Sequence, residues 1–282
     1  MLKHVDMLDL SKLDDSVRDQ MAHYLRKSRN FLDSVVTIGA DAKTSKGDKL
    51  GVRTAISYMA PHTLSGQNMC PMAEQAQCHK GCLNTAGRGA MHSVQLSRLR
   101  RTLVLQQHSK FFYDMLHKQL ESHCKACIRD GVTPAYRPNG TTDKRWELSG
   151  RWWEMMEYFV NKYGLKIYDY TKIPNRWVPE WYDLTFSYSG TPFFKPHVEH
   201  AVNIGFNVEV GIKGRALRRM AVVFRTREMV QKLLEGSGTF YGLPVVDGDD
   251  TDVRFLDPNG VVVALYAKGS AKHDKTGFVV DI

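Results

Sequence analysis

Three of the chain's five cysteines, Cys70, Cys78 and Cys82, fall within thirteen residues in a C-x7-C-x3-C pattern. Thiolates are soft ligands that select zinc, copper or iron–sulfur clusters, so three in one short segment can converge on one metal. A structural zinc site needs a fourth ligand, which His79, His92 or the Cys124/Cys127 pair could supply. An iron–sulfur cluster normally takes four cysteines, and three would leave one iron open to a substrate or cofactor. The expectation is that Cys70, Cys78 and Cys82 share one metal site, an iron–sulfur cluster first and zinc as the alternative. The N-terminus (Met1-Leu2-Lys3-His4-Val5-Asp6) lacks an apolar signal core. Reduced thiols in a cytoplasmic chain are therefore expected rather than a disulfide framework. Cys124 and Cys127 lie three apart on a helical pattern that also carries Leu116 and Leu120, which suits core packing.

A second group of polar residues stands just after predicted strands. It comprises Asn139-Gly140-Thr141-Thr142-Asp143, Asp169 to Lys172, Ser187-Tyr188-Ser189, Asp247-Gly248-Asp249-Asp250 and Lys268-Gly269. Asp143, Asp169 and Lys172 could act as acid and base if burial shifts their pKa values, and they are the candidate catalytic residues. The aspartate-rich loop could hold a hard divalent cation, although Asp-Gly is also an ordinary turn signal.

Charge supplies the third clue. With 39 basic against 30 acidic residues, the net charge of +9 suggests an anionic partner, a nucleotide or nucleic acid. Arg98, Arg100 and Arg101, with Arg88 upstream, cluster where a long helix begins and are the candidate nucleic-acid contacts, against the alternative of a solvated face. Lys213, Arg215, Arg218 and Arg219 form a second basic run, expected to be exposed. Trp146, Trp152, Trp153, Tyr158 and Phe159 follow helical spacing and read as core. No P-loop, G-x-S-x-G, H-E-x-x-H or Rossmann glycine fingerprint occurs. No apolar run approaches the length of a membrane span.

The elements that must position these groups alternate. Residues 1–35 read as helical, 38–50 as a polar loop, 52–59 as a strand, and 60–90 as a long irregular stretch holding the three cysteines. One helix is predicted over 92–128. Strands and helices then alternate: strand 134–137, helix 146–163, strands 165–170 and 182–187, helix 194–203. Strands 206–210 and 221–224, helix 228–234, and strands near 245, 254–256 and 261–266 complete the chain. Such alternation predicts parallel βαβ units. The expected fold is α/β, a (β/α) barrel or partial barrel at residues 46–282, with an N-terminal helical extension at 1–45. In that architecture functional groups gather at the C-terminal ends of the strands, so Asn139, Asp143, Asp169, Lys172 and Ser187 should share one rim.

The cysteine loop's place, after the first strand of the alternating region, resembles that of the cluster loop in radical S-adenosylmethionine enzymes. Its spacing differs from the usual C-x3-C-x2-C of that superfamily, Leu83 after the last cysteine is not aromatic, and the turn at Asn139 lacks a Gly-Gly-Glu. This resemblance implies S-adenosylmethionine as cofactor, with Asn139, Gly140, Thr141 and the rim residue Ser187 as its contacts, and radical chemistry on a nucleotide or nucleic acid. A closer resemblance, over about residues 45–280, is to phage-encoded proteins of the gene product 88 type. It is carried by Cys70-Pro71, Ala73, Cys78, Cys82, Ala86-Gly87-Arg88, Arg137 to Asp143, Tyr168 to Lys172, Leu184 to Ser187, Val246 to Asp249, Arg254 to Pro258 and Ala267 to Gly269. It implies a phage origin and hence the cytoplasm of an infected bacterial host. A non-enzymatic nucleic-acid-binding protein with a structural zinc site is the alternative reading.

Overall fold

A computed structural model describes residues 4–39, 42–205, 218–236 and 238–282. Its strands are β1 (Thr37–Ile38), β2 (Val52–Ile56), β3 (Thr133–Arg137), β4 (Lys166–Thr171), β5 (Tyr182–Ser187), β6 (Arg219–Phe224), β7 (Thr239–Phe240), β8 (Leu243–Asp247) and β9 (Val262–Tyr266). They form one sheet in the order β1-β2-β3-β4-β5-β6-β9-β8-β7. Every pairing from β2 to β8 is parallel. The two outermost pairings are antiparallel. Parallel strands covered on both faces bury nearly every residue, and β5 does so at Tyr182, Asp183, Leu184, Thr185 and Phe186.

The α/β alternation is present, but the sheet is open and no closed barrel forms. Its edges are the two-residue strands β1 and β7, which pair inward and not with each other. At one edge Tyr241 and Gly242 both have positive φ, the conformation that a two-residue hairpin loop requires between β7 and β8.

The helices are α1 (Asp15–Lys27), α2 (Ala42–Lys49), α3 (His92–Gln107), α4 (Ser109–Arg129), α5 (Gly150–Tyr163), α6 (Lys195–Gly205) and α7 (Arg227–Glu235). Several differ from the sequence reading; of the described residues within 1–35, read as helical, only Asp15–Lys27 form an α-helix. The single helix expected over 92–128 breaks at His108, whose backbone leaves the helical region (φ −131°, ψ 50°). Its Nε2 donates to the carbonyl of Met7, near the N-terminus, at 2.6 Å, a contact distant in sequence that periodicity cannot register. The aromatic helix starts at Gly150, because the Ser149 side chain accepts from the Trp152 N–H and caps it there. The polar stretch expected as a loop contains α2. The strand expected at 254–256 is a 3-10 helix that buries Arg254. The strand expected at 206–210 lies outside the described residues, as do Lys213 and Arg215.

Residues before β2 do not stand apart from this core. Leu8, Leu10, Leu13, Met21, Leu25, Leu32, Val35 and Val36 are buried in the same cluster as Leu99 and Leu103 of α3 and Phe112 of α4. Of the aromatics expected in the core, Trp146, Trp152 and Phe159 are fully buried, Trp153 is half-buried, and Tyr158 is exposed because it lies on the outer face of α5.

Arg219, the last residue of the second basic run, is buried rather than on a solvated surface. Arg219 opens β6 inside the protein, donating to Asp183 Oδ1 of β5 at 2.6 Å and to the Asp257 carbonyl at 2.9 Å. Removing one partner of a buried pair strands the other charge. Asp183→Ala should therefore lower the unfolding free energy by about 3–5 kcal/mol in a denaturant titration, whereas replacing the exposed Asp250 should change it little.

Candidate metal centre

The strands β2, β3, β4 and β5 are parallel, so their C-terminal ends face one side. The chain leaving β2 runs across that side as the cysteine loop, held by bonds to the segments that follow the other strands. Thr141, beyond β3, donates its Oγ1 to the Met59 carbonyl. The Asp143 N–H donates to the Met69 carbonyl at 3.0 Å. Beyond β5, Ser189 Oγ and Thr191 Oγ1 donate to the Ala76 and Gln75 carbonyls at 2.8 and 2.9 Å. Met69, Ala73 and Ala76 anchor the loop by burial. The loop is irregular because its backbone groups are satisfied by these rim side chains and by its own turns rather than by a ladder.

The chain's last segment straps the loop from the other side. Phe278, Val279, Ala267 and Ala271 form a small buried cluster against which Cys78 packs. Gly81 faces Ala271 and Phe278, and a Cβ there would meet the Ala271 Cα at 3.3 Å. Arg225, just past β6, pins this strap. It donates to both Asp281 carboxylate oxygens at 3.0 and 2.9 Å, and to the Lys272 and Asp274 carbonyls at 3.2 and 2.8 Å.

All three loop thiols are half-buried and free. Cys70 Sγ accepts from the His62 N–H at 3.3 Å and lies 4.0 Å from the Thr141 carbonyl oxygen. Cys82 Sγ accepts from the Asn84 N–H at 3.4 Å, and Cys78 donates to the Ala73 carbonyl at 3.9 Å. Burial pushes the Cys70 thiol up to about 12, and the neighbouring Asp143, Cys82 and Cys78 add to that. Burial also raises Cys78 and Cys82, with Lys172 opposing at Cys78 and Arg98 at Cys82. The three sulfurs therefore lie within electrostatic reach of one another. Among the described residues, no three His, Cys, Asp or Glu side chains approach closely enough to hold a single metal ion. His79 Nδ1 is bonded to the Ala73 carbonyl at 3.0 Å, and its ring stacks on His62 at 5.2 Å. Cys124 and Cys127 are buried well away in α4, where Cys127 packs beside His123.

The rim residues named from sequence are linked to one another. The Asn139 N–H donates to Asp169 Oδ2 at 2.8 Å. Asp143 Oδ2 accepts the Lys172 N–H at 2.8 Å, and Lys172 Nζ donates to Ser187 Oγ at 3.0 Å. Their surroundings are more closed than a catalytic reading expects. Asp169 is wholly buried, surrounded by the Asn139 and Tyr170 N–H groups, the Tyr182 hydroxyl and Arg137. Burial pushes its carboxyl up to about 6, with Arg137 and Arg176 opposing. Asp143 is occupied by Arg176 at 3.1 Å. Gly140 is needed for close approach, since a Cβ would stand 2.6 Å from the Tyr58 ring and 2.7 Å from Ile56. The side of Gly140 on which a Cβ would stand is filled by Tyr58 and Ile56.

Arg176, Glu147 and Tyr182 were not singled out from sequence. They lie on an irregular segment, a 3-10 helix and a strand, with no motif joining them. The arginines assigned to nucleic acid are mostly interior. Arg100 is 1% exposed and ion-paired with Asp33. Arg98 is buried and donates to Asn84, and Arg101 donates to the Ser34 and Tyr58 carbonyls. Only Arg88 is exposed. These side chains reach inward because α3 packs between the N-terminal segment and the cysteine loop. In the aspartate loop, Asp249 is paired with Lys268, and Asp252 with Arg137.

Together these features describe an open, mainly parallel α/β protein whose C-terminal rim is roofed by a three-cysteine loop. The gene product 88 family matches residues 34–282, and the chain belongs to that family. No curated protein and no solved structure matches the chain. These comparisons bring no support to the resemblance with radical S-adenosylmethionine enzymes. Among the described residues, no helix is long and apolar enough to cross a membrane.

Two outcomes follow from the thiol environment. A raised pKa keeps Cys70 protonated, so at pH 8 its thiolate fraction should be on the order of 10⁻⁴ rather than ~0.1. In the metal-free folded chain, alkylation of Cys70 should still be climbing at about pH 10, whereas in the denatured chain it should level off near the ordinary thiol value. Mass spectrometry of peptides containing Cys70 distinguishes the two profiles. Separately, Arg225→Ala should free the strap and speed labelling of Cys78 by a bulky maleimide several-fold, leaving Cys124 and Cys127 unlabelled. An unchanged Cys78 rate would show that the strap does not limit access.

Proposed function

We propose that this protein is a metalloprotein in which Cys70, Cys78 and Cys82 hold an iron–sulfur cluster at the C-terminal rim of the sheet. One observation carries this reading: a single loop roofing the C-terminal rim carries three half-buried free thiols. Soft sulfur donors suit iron–sulfur chemistry. Such a group supplies electron transfer, or an open iron site where only three cysteines bind.

The chain's own residues would do the rest. The cysteine loop and the strap with Phe278 restrict water, and the Asp143–Arg176 pair fixes the rim beneath the loop. Nucleotide or nucleic acid as substrate rests on the net charge, and three of the four arginines assigned to that role serve the interior instead.

The test is anaerobic reconstitution of the chain with ferrous iron and sulfide, followed by an absorption spectrum and by iron and sulfide analysis. A brown protein is expected, with colour and bound iron lost on replacing Cys70, Cys78 and Cys82 by Ser and retained on replacing Cys124 and Cys127. A colourless chain that binds no iron would overturn the proposal. Zinc held tightly by the same three cysteines would replace it with the structural-zinc reading.

A further inference from the structure

Three of the five tryptophans gather on one surface beside α5. Trp153, on α5, lies nearly parallel to Trp177, with 6.4 Å between ring centres and 14° between planes. It meets Trp181 edge-on at 5.5 Å. Trp177 is 51% exposed, whereas its neighbours Arg176 and Val178 are wholly buried. The irregular segment that joins β4 to β5 therefore turns Trp177 outward between two anchored residues. Arg176 is held by Asp143 and Glu147, and Val178 lies in the main core. Trp153 and Trp181 are half-buried. An indole fixed on a rigid base loses little freedom when a partner covers it, and tryptophan is enriched among residues that dominate binding energy.

The rim of this surface is acidic, in a chain whose net charge is +9. Glu157 stands one helical turn after Trp153, and Glu154 stands next to it, both exposed. The exposed Glu180 lies between Trp177 and Trp181 in the chain. Among the described residues none of the three makes a salt bridge. No described lysine or arginine lies over any of the three indoles either, although the chain sets cations over other rings. Lys144 lies over Trp146 at 5.5 Å, Arg151 over Tyr113 at 5.4 Å and Arg176 over Tyr182 at 5.5 Å. The face of an indole carries the negative end of the ring quadrupole and attracts cations best among the aromatic side chains. The carboxylates add to that attraction and repel a phosphate backbone.

We infer that this surface docks an arginine-bearing segment of a partner polypeptide. A guanidinium is planar, so it can stack on Trp177 while its N–H fork donates to a carboxylate, a geometry that a lysine ammonium lacks. Three carboxylates around three indoles suit several cations of one segment better than a single small amine. The inference is independent of the metal-centre reading.

The probe is a tetra-arginine peptide, with tetralysine as control, followed at low salt by calorimetry and by tryptophan fluorescence. A chain of this net charge repels a polycation overall, so binding reports a local surface of opposite sign. The wild type should bind tetra-arginine more tightly than tetralysine, and added salt should weaken the binding. Trp177→Ala should weaken it about tenfold, the size of a desolvated cation–aromatic contact. The combined variant Glu154→Gln, Glu157→Gln and Glu180→Gln should weaken it at least as much. These side chains are exposed or half-exposed, and the glutamine variant should keep the wild-type unfolding temperature. No binding by the wild type, equal binding of tetralysine, or binding that neither variant alters overturns the inference. Two results would overturn it in favour of another occupant. Oligo(dT) held through Trp177, and held more tightly by the glutamine variant, would make this a base-stacking surface. A dimer in sedimentation that Trp177→Ala dissociates would make the occupant a second copy of the chain.

Discussion

Arg176 is the residue on which the C-terminal rim depends. It has no exposed surface, and its guanidinium donates to Asp143 Oδ1, to both carboxylate oxygens of Glu147, to the Lys144 carbonyl and to the Tyr182 hydroxyl. Those partners come from the turn after β3, from the 3-10 helix before α5 and from β5. The planar donor fork of arginine can satisfy so many acceptors at once, which a lysine could not. Asp143 then transmits the arrangement outward, accepting the Lys172 N–H on one side while its own N–H holds the Met69 carbonyl of the cysteine loop. The buried charge is tolerated because it is fully hydrogen-bonded.

A second network runs alongside. Arg137, at the end of β3, pairs with Asp252 and reaches Asp169, while the Tyr170 hydroxyl donates to Asp252 at 3.0 Å. It ties the centre of the sheet to the loop between β8 and β9. Of the aspartates that look like a cation site in sequence, Asp252 is committed to this network and Asp249 to Lys268. The two networks have a common consequence: the polar groups at the strand ends mostly hold the rim in shape, and the half-buried thiols are the groups above it that remain free for chemistry.

Electrostatics differs between the two sides of the cysteine loop. Beneath it, cations and carboxylates are matched pair by pair. Beside it, Lys172 and Arg98 find only carbonyls, a hydroxyl, an amide and aromatic faces. Arg101 is likewise held by the Ser34 and Tyr58 carbonyls alone.

Much of the local structure was legible in the chain itself. Alternating apolar strands and amphipathic helices specify an α/β fold, because strand and helix periods are properties of neighbouring residues. The irregular cysteine loop, β5 and the gathering of Asn139, Asp143, Lys172 and Ser187 on one rim all follow from local pattern and the direction of parallel strands. What tertiary structure decided was everything that depends on distant partners. The open sheet follows from how its two edges are capped. The break at His108 depends on Met7, and the burial of Arg98 and Arg100 depends on Asn84 and Asp33. A basic residue reads alike in sequence whether it faces solvent or the interior. Only the packed structure shows which arginines are matched, because the energy of a buried charge is set by neighbours that sequence separation hides.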